Sequence, residues 1–200
     1  MHKESREWYL NSANVYERWA FNENLFSEAE CDAILNYVNK QQLNEAKIEG
    51  KATKSDLAKI RRSNVIFLNS SDTEIKWVFQ TITDSIVGLN NQFFKFDLEK
   101  IETLQFTEYH ESYNGFYGKH IDTLFESPVF RKLSFTIQLS DEKDYTGGDV
   151  LLHLSEEPNI FVKKRGSINV FPSYYLHEVT PVQSGCRYSL VGWVLGPPFK

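Results

Sequence analysis

The residues in this 200-residue chain with the types and spacing to do chemistry lie in its second half. In the run Tyr117-Gly118-Lys119-His120-Ile121-Asp122, an imidazole and a carboxylate stand two positions apart. Along a β-strand, positions i and i+2 project from the same face, so His120 and Asp122 can present both groups to one ion. A lone His-x-Asp is common on the exposed face of a strand, so the pair gains meaning only from its company.

That company is His177, in Phe171-Pro172-Ser173-Tyr174-Tyr175-Leu176-His177-Glu178-Val179, where a buried strand passes through Pro and Ser into a His that begins the next strand. Two His and one carboxylate on facing strands, with three coordination positions left open, form the facial triad that holds non-haem Fe(II). Arg187 follows ten residues later. If a turn at Gln183-Ser184-Gly185 joins the two strands, Arg187 comes to lie beside the same cavity. A guanidinium in a small barrel is costly unless an anion meets it, and a carboxylate ligand supplies that anion.

Alternation tells which side chains share the cavity. Arg187, Ser189, Val191 and Trp193 fall on one face of their strand. Ser134, Thr136 and Gln138 fall on one face of Arg131 to Ser140, with Leu133, Phe135, Ile137 and Leu139 directed outward against helices. Tyr109 shares the polar face of its strand with Gln105 and Thr107. His110 and His153 lack partners at useful spacing and are read as surface or strand-face residues. Gly147 and Gly148 are read as a turn.

The elements that must position these residues change character near the middle of the chain. From Asn22 to Lys40 the pattern is helical: Ser27 followed by Glu30 makes a capping box, and Ala29, Ala33, Ile34, Tyr37 and Val38 recur on one face. Ile75, Val78, Phe79, Ile82, Ile86 and Val87 predict a second helix over Thr73 to Leu89. Gln41 to Arg62, polar and poor in apolar residues, is expected to be an exposed loop. After Asn91 the chain reads as strands: 103–109, 116–123, 131–140, 149–154, 160–164, 168–171, 177–182 and 187–195. Short strands punctuated by glycine turns predict a sandwich or barrel with the earlier helices on one outer face, an α+β domain. One domain is expected over 1–200, with helical support over about 1–92 and a β core over about 93–200.

Composition narrows the function classes. A hydrophobic share of 41% excludes intrinsic disorder as the main description, and 22 basic against 27 acidic residues, net −5, argue against a groove-wide grip on nucleic acid. Cys31 and Cys186 stand far apart and outside any CxxC, so neither a disulfide framework nor a zinc ribbon is expected. The residues from Met1 to Leu10 contain no apolar leader and no stretch is long enough to span a membrane, so the expected setting is cytoplasmic, with no membrane partner.

The ordered set Tyr109, Gly115 to Tyr117, His120-x-Asp122, Arg131 to Ser140, Gly147-Gly148-Asp149-Val150, Phe171-Pro172, His177-Glu178-Val179 and Arg187-x-Ser189 resembles the Fe(II)/2-oxoglutarate-dependent dioxygenases, within them the prolyl 4-hydroxylase-like group. The resemblance runs from Phe26 to Phe199 and is strongest from Tyr109 to Trp193. It implies a double-stranded β-helix, or jelly roll, in which His120, Asp122 and His177 hold Fe(II). Arg187 would pair with the distal carboxylate of 2-oxoglutarate through its planar fork, with a hydroxyl added by Ser189. Tyr109 matches a tyrosine that touches the co-substrate, and Trp193 one that closes its pocket. Gln138 departs from relatives with a tyrosine there, so that contact is missing or replaced by the amide.

The implied activity is hydroxylation of a peptidyl proline with Fe(II), 2-oxoglutarate and O₂, ascorbate being a further cofactor the resemblance allows; 2-oxoglutarate is decarboxylated to succinate and CO₂. Asp122 favours hydroxylation over halogenation, because related halogenases replace this carboxylate with a small residue. The alternatives are the same chemistry on a free amino acid or other small molecule, and a non-catalytic metal-binding β-barrel module. Gln41 to Arg62 and Leu124 to Phe130 are expected to fold over the pocket mouth.

Overall fold

The computed structural model describes residues 18–45, 58–123 and 130–199. Helix α1 (Glu28–Val38) starts as the capping box requires: Ser27 Oγ accepts from the Glu30 N–H, and Glu30 Oε2 accepts from the Ser27 N–H at 2.8 Å. It buries Cys31, Ile34, Tyr37 and Val38. Helix α2 (Lys76–Leu89) buries Val78, Ile82 and Ile86. Both stripes pack into one core with Leu104, Phe106, Leu133, Phe135, Ile137, Leu139 and Leu190, the outward-facing strand residues.

Those strand residues belong to a large antiparallel sheet. In chain order the strands are β1 (Ala20–Asn22), β2 (Asn44–Glu45), β3 (Arg61–Arg62), β4 (Asn64–Leu68), β5 (Lys100–His110), β6 (Phe116–His120), β7 (Phe130–Gln138), β8 (Tyr145–Gly147), β9 (Val150–Leu152), β10 (Asn159–Ile160), β11 (Ile168–Pro172), β12 (His177–Val179) and β13 (Val182–Gly196). The large sheet runs β1-β11-β7-β13-β5-β4-β2, with β8 also on β13; a smaller sheet runs β10-β9-β12-β6-β3. Helices cover the outer face of the large sheet, and its inner face looks onto the small sheet across the polar cavity. This is the expected jelly-roll arrangement, with its edges managed by two sheets.

Several boundaries differ from expectation for physical reasons. The N-terminal part is more than a helical support: β1, β2 and β4 join the large sheet and β3 the small one. The run Asn64-Val65-Ile66-Phe67-Leu68 is a short apolar stretch whose periodicity does not separate strand from helix. Within Gln41 to Arg62, expected as a loop, Asn44–Glu45 and Arg61–Arg62 are strands, while residues 46–57 lie outside the described residues. Of the expected lid Leu124 to Phe130, residues 124–129 also lie outside them, and Phe130 opens β7. Strand β10 stops at Ile160 because the Asn169 side chain takes over: its Oδ1 accepts from the Val162 N–H, and its Nδ2 donates to the Val162 carbonyl.

The connection between His177 and Arg187 is also corrected. Gln183-Ser184-Gly185 is no hairpin turn but an irregular stretch inside β13, with Gly185 at φ 73° where a Cβ would sit 2.0 Å from the Asp144 carbonyl oxygen. The break comes earlier, after Val179, around Pro181, which has no N–H to give a ladder. β12 therefore ends in the small sheet and β13 begins in the large one, placing His177 and Arg187 on opposite walls. Among the described residues, no helix is long and apolar enough to cross a membrane.

Candidate metal centre and anion pocket

β6 and β12 pair so that His120 faces His177 directly, with ring centroids 4.2 Å apart. Asp122 lies just past the end of β6, not on it. Its backbone N–H donates to the Ser173 carbonyl at 2.9 Å, which turns Ile121 outward and Asp122 inward. One ligand atom from each of His120, Asp122 and His177 lies within 4.8 Å of the others. His120 Nε2 is 3.5 Å from Asp122 Oδ1, and His177 Nε2 is 3.5 Å from Asp122 Oδ2.

The surroundings fix which nitrogens face the gap. His120 Nδ1 is 2.8 Å from the Gly118 carbonyl and His177 Nδ1 is 3.0 Å from the Tyr175 carbonyl. A carbonyl only accepts, so each Nδ1 carries the proton and each Nε2 lone pair points inward, the orientation a metal-bound imidazole takes. Ser134 Oγ donates to Asp122 Oδ2 at 2.7 Å and also lies 2.9 Å from Ser173 Oγ. Burial and the neighbouring His177 push His120 down to about 4, which keeps it neutral near pH 7. Burial would raise the Asp122 carboxyl, but the His177 and His120 rings, when protonated, together with the Ser134 hydroxyl outweigh it and hold it below its ordinary value. Two imidazoles and one carboxylate fit a hard-to-borderline divalent ion.

Arg187 lies across the cavity on β13, 3% exposed. Its Nε donates to Gln138 Oε1 at 3.1 Å and its Nη1 is a long 3.5 Å from Ser189 Oγ. No carboxylate among the described residues pairs with it, so the buried charge is left uncompensated toward the cavity. The Tyr109 ring, 2% exposed, lies 5.7 Å from the guanidinium carbon. Between triad and arginine is a cavity of about 500 Å³, open to solvent, lined among others by Gln105, Tyr109, Ser134, Thr136, Ser189 and Trp193. The buried Trp193 Nε1–H is turned toward Asp122 and helps hold its carboxyl below its ordinary value.

Every residue singled out from the sequence thus comes to this region, though Gln138 lines a smaller space of about 240 Å³ on the far side of Arg187. His153, expected to be without a partner, has Nε2 2.8 Å from Glu178 Oε1.

Other contributors escaped the sequence. Tyr117 stacks on His120 at 3.6 Å and 15°, although strand alternation puts residues three apart on opposite faces. The register explains it: Tyr117 opposes Val179 and His120 opposes His177, so β6 carries one extra residue, a bulge that restores both to one side. The Arg61 guanidinium covers the outer face of Tyr117 at 4.6 Å and lines the cavity, from a segment that read as loop. Tyr145 and Gly148 touch Gln138 and Arg187; only the Gly pair had given any signal, that of a turn.

Residues 104–195 match the model of a family described as the 2OG-Fe(II) oxygenase superfamily. A PKHD-type hydroxylase of Prochlorococcus marinus (strain MIT 9301) is 35% identical over 148 residues, 73% of this chain and 64% of the relative, so the chain spans just under two thirds of that protein. Another, from Prochlorococcus marinus (strain MIT 9312), is 32% identical over 172 residues, 85% of this chain and 75% of the relative. Among solved structures, a prolyl hydroxylase from Trichoplax adhaerens, in complex with a hypoxia inducible factor oxygen degradation domain peptide fragment, superposes with a TM-score of 0.74. It is 16% identical, over 90% of this chain and 84% of that one, a likeness of fold.

Proposed function

Since the chain belongs to the 2OG-Fe(II) oxygenase superfamily, we propose that it hydroxylates a prolyl residue in a peptide, with Fe(II) held by His120, Asp122 and His177 and the distal carboxylate of 2-oxoglutarate held by Arg187. In this family Fe(II) couples decarboxylation of 2-oxoglutarate to succinate and CO₂ with insertion of one O₂ oxygen into substrate. The single observation that carries the residue roles is the pairing of opposites in one cavity: a metal-ready triad on the small sheet and a buried, uncompensated guanidinium on the large one.

This chain's own residues do the positioning. The Gly118 and Tyr175 carbonyls aim the imidazoles, and Ser134 aims Asp122. Arg187, with Ser189 beside it, sets the depth at which a five-carbon diacid reaches the triad. Tyr109 and Trp193 narrow the walls. Because Asp122 is present as a carboxylate, hydroxylation is favoured over halide transfer.

The prolyl peptide as substrate is supported by the relatives named as hydroxylases and by the peptide-bound structural neighbour. A non-catalytic metal-binding barrel has no use for Arg187. The free thiols Cys31 and Cys186 support a reducing, cytoplasmic setting. The test is 2-oxoglutarate binding with and without Mn(II), followed by succinate release under Fe(II) and O₂ with proline peptides, free amino acids and neither. Metal-dependent binding and peptide-stimulated succinate are expected. Binding indifferent to metal would remove the oxygenase assignment, and stimulation by a free amino acid alone would replace the substrate.

A further inference from the structure

Gln138 occupies the position where a direct contact to the co-substrate was expected, yet its hydrogen bonds leave it no donor to offer. Its Nε2 gives one proton to the Tyr145 hydroxyl at 2.9 Å and the other to the Ser140 carbonyl at 3.2 Å. Its Oε1 accepts from Arg187 Nε at 3.1 Å. The amide cannot sit the other way round: flipping it would set its NH₂ against an Nε–H that only donates and its oxygen against a carbonyl that only accepts.

We infer that Gln138 and Tyr145 form a latch that positions the Arg187 guanidinium for the distal carboxylate of a 2-oxo diacid, without touching the diacid themselves. The inference rests on the co-substrate assignment above and deepens it. All three residues are 3% exposed, and Gln138 is hydrogen-bonded to both of the others. They come from three strands: Gln138 on β7 is paired with Ser189, two residues from Arg187 on β13, and Tyr145 on β8 is paired with Gly185 on the same strand.

Gly148 leaves the room. At φ 61°, a Cβ there would sit 3.1 Å from Arg187 Cδ and 3.3 Å from Tyr145 Cε2. With Nε tied back to Gln138, the guanidinium plane is fixed and its remaining N–H groups are presented as a fork. An arginine free to swing would lose orientational freedom on binding, and the latch removes that cost beforehand.

The test compares binding of 2-oxoglutarate and of 2-oxopentanoate, which keeps the 2-oxo acid end and chain length but lacks the distal carboxylate. Both are titrated into the Mn(II)-loaded protein without O₂. Gln138→Leu, which strands a charged donor, should raise the 2-oxoglutarate Kd about tenfold or more, and Tyr145→Phe about threefold. The double variant should be no weaker than Gln138→Leu, because both act through one latch. Mn(II) affinity and 2-oxopentanoate affinity should stay unchanged, a pattern that a general loosening of the fold would not give.

Tyr145→Phe keeps volume and shape, so it remains informative if Gln138→Leu folds poorly. Unchanged 2-oxoglutarate affinity in Tyr145→Phe and Gln138→Leu would overturn the latch, and so would equal weakening of both acids. A wild-type protein that binds neither acid in the presence of metal would instead overturn the co-substrate assignment itself.

Discussion

The two ends of the cavity are built on opposite plans. At the triad, the hydrogen bonds that aim the ligands are made within the protein: Ser134 holds Asp122 and both Nδ1–H groups have carbonyl partners, while a carboxylate and two Nε2 atoms are left facing the gap. At Arg187, the described residues supply orientation but no countercharge. The first end is thus suited to a cation. The second carries a buried positive charge that an anion would meet, so the proposed co-substrate site should discriminate against ligands without a second carboxylate.

Breaking either end should therefore fail differently. Asp122→Ala removes the only carboxylate of the triad and should abolish succinate formation and weaken metal binding beyond the roughly 100-fold that loss of an outer-shell partner costs; metal titration and succinate release check it. Retained metal affinity would mean the triad is not the metal site.

Next in size, Arg187→Ala should cost about 2 to 5 kcal/mol of 2-oxoglutarate binding while leaving metal affinity in place, and Lys at this position should recover part of it through charge without the planar fork. Calorimetry on the Mn(II) protein separates the two ends: a variant that loses metal and co-substrate together would deny their independence.

Ser134→Ala tests the balance at the triad more gently. With its hydrogen bond to Asp122 gone, metal affinity should drop about 10- to 100-fold, while 2-oxopentanoate binding to the metal-saturated protein should hold.

A separate effect is one of pH on the metal-free protein. Burial depresses His120 from 6.5 to about 4, so the unfolded chain takes up a proton that the folded one refuses. Stability from this group is therefore full above pH 6.5 and is lost as pH falls toward about 4, by at most about 1.4 kcal/mol per pH unit. Denaturant titrations across that range should show the decline, and His120→Gln should flatten it.

How much of this was legible in sequence varies with the range of the interaction. The Ser27 and Glu30 cap and the α1 stripe are local and were readable, as was the polar face Ser134, Thr136, Gln138, because a period of two persists through β7. Tyr117 was not, since the β6 bulge breaks that period, nor was Arg61, whose two-residue strand is too short to carry a pattern. Gln138 was legible as a site residue, but whether its amide replaces the missing tyrosine contact was not, because the acceptors that claim its amide, the Tyr145 hydroxyl and the Ser140 carbonyl, are set by tertiary placement.

By itself the sequence determined the ligand types, the order in which they occur and the alternation that turns them inward; these follow from side-chain chemistry and strand geometry, both short-ranged. Tertiary structure decided which wall each residue stands on. His177 and Arg187, ten residues apart, were expected on strands joined by a turn and instead belong to different sheets, because the break comes around Pro181, which cannot continue a ladder, and Gly185 at positive φ lets β13 run on through the expected turn. It also left the guanidinium without a countercharge among the described residues. An unmet charge depends on everything that does not approach it, and no local pattern in a sequence records that.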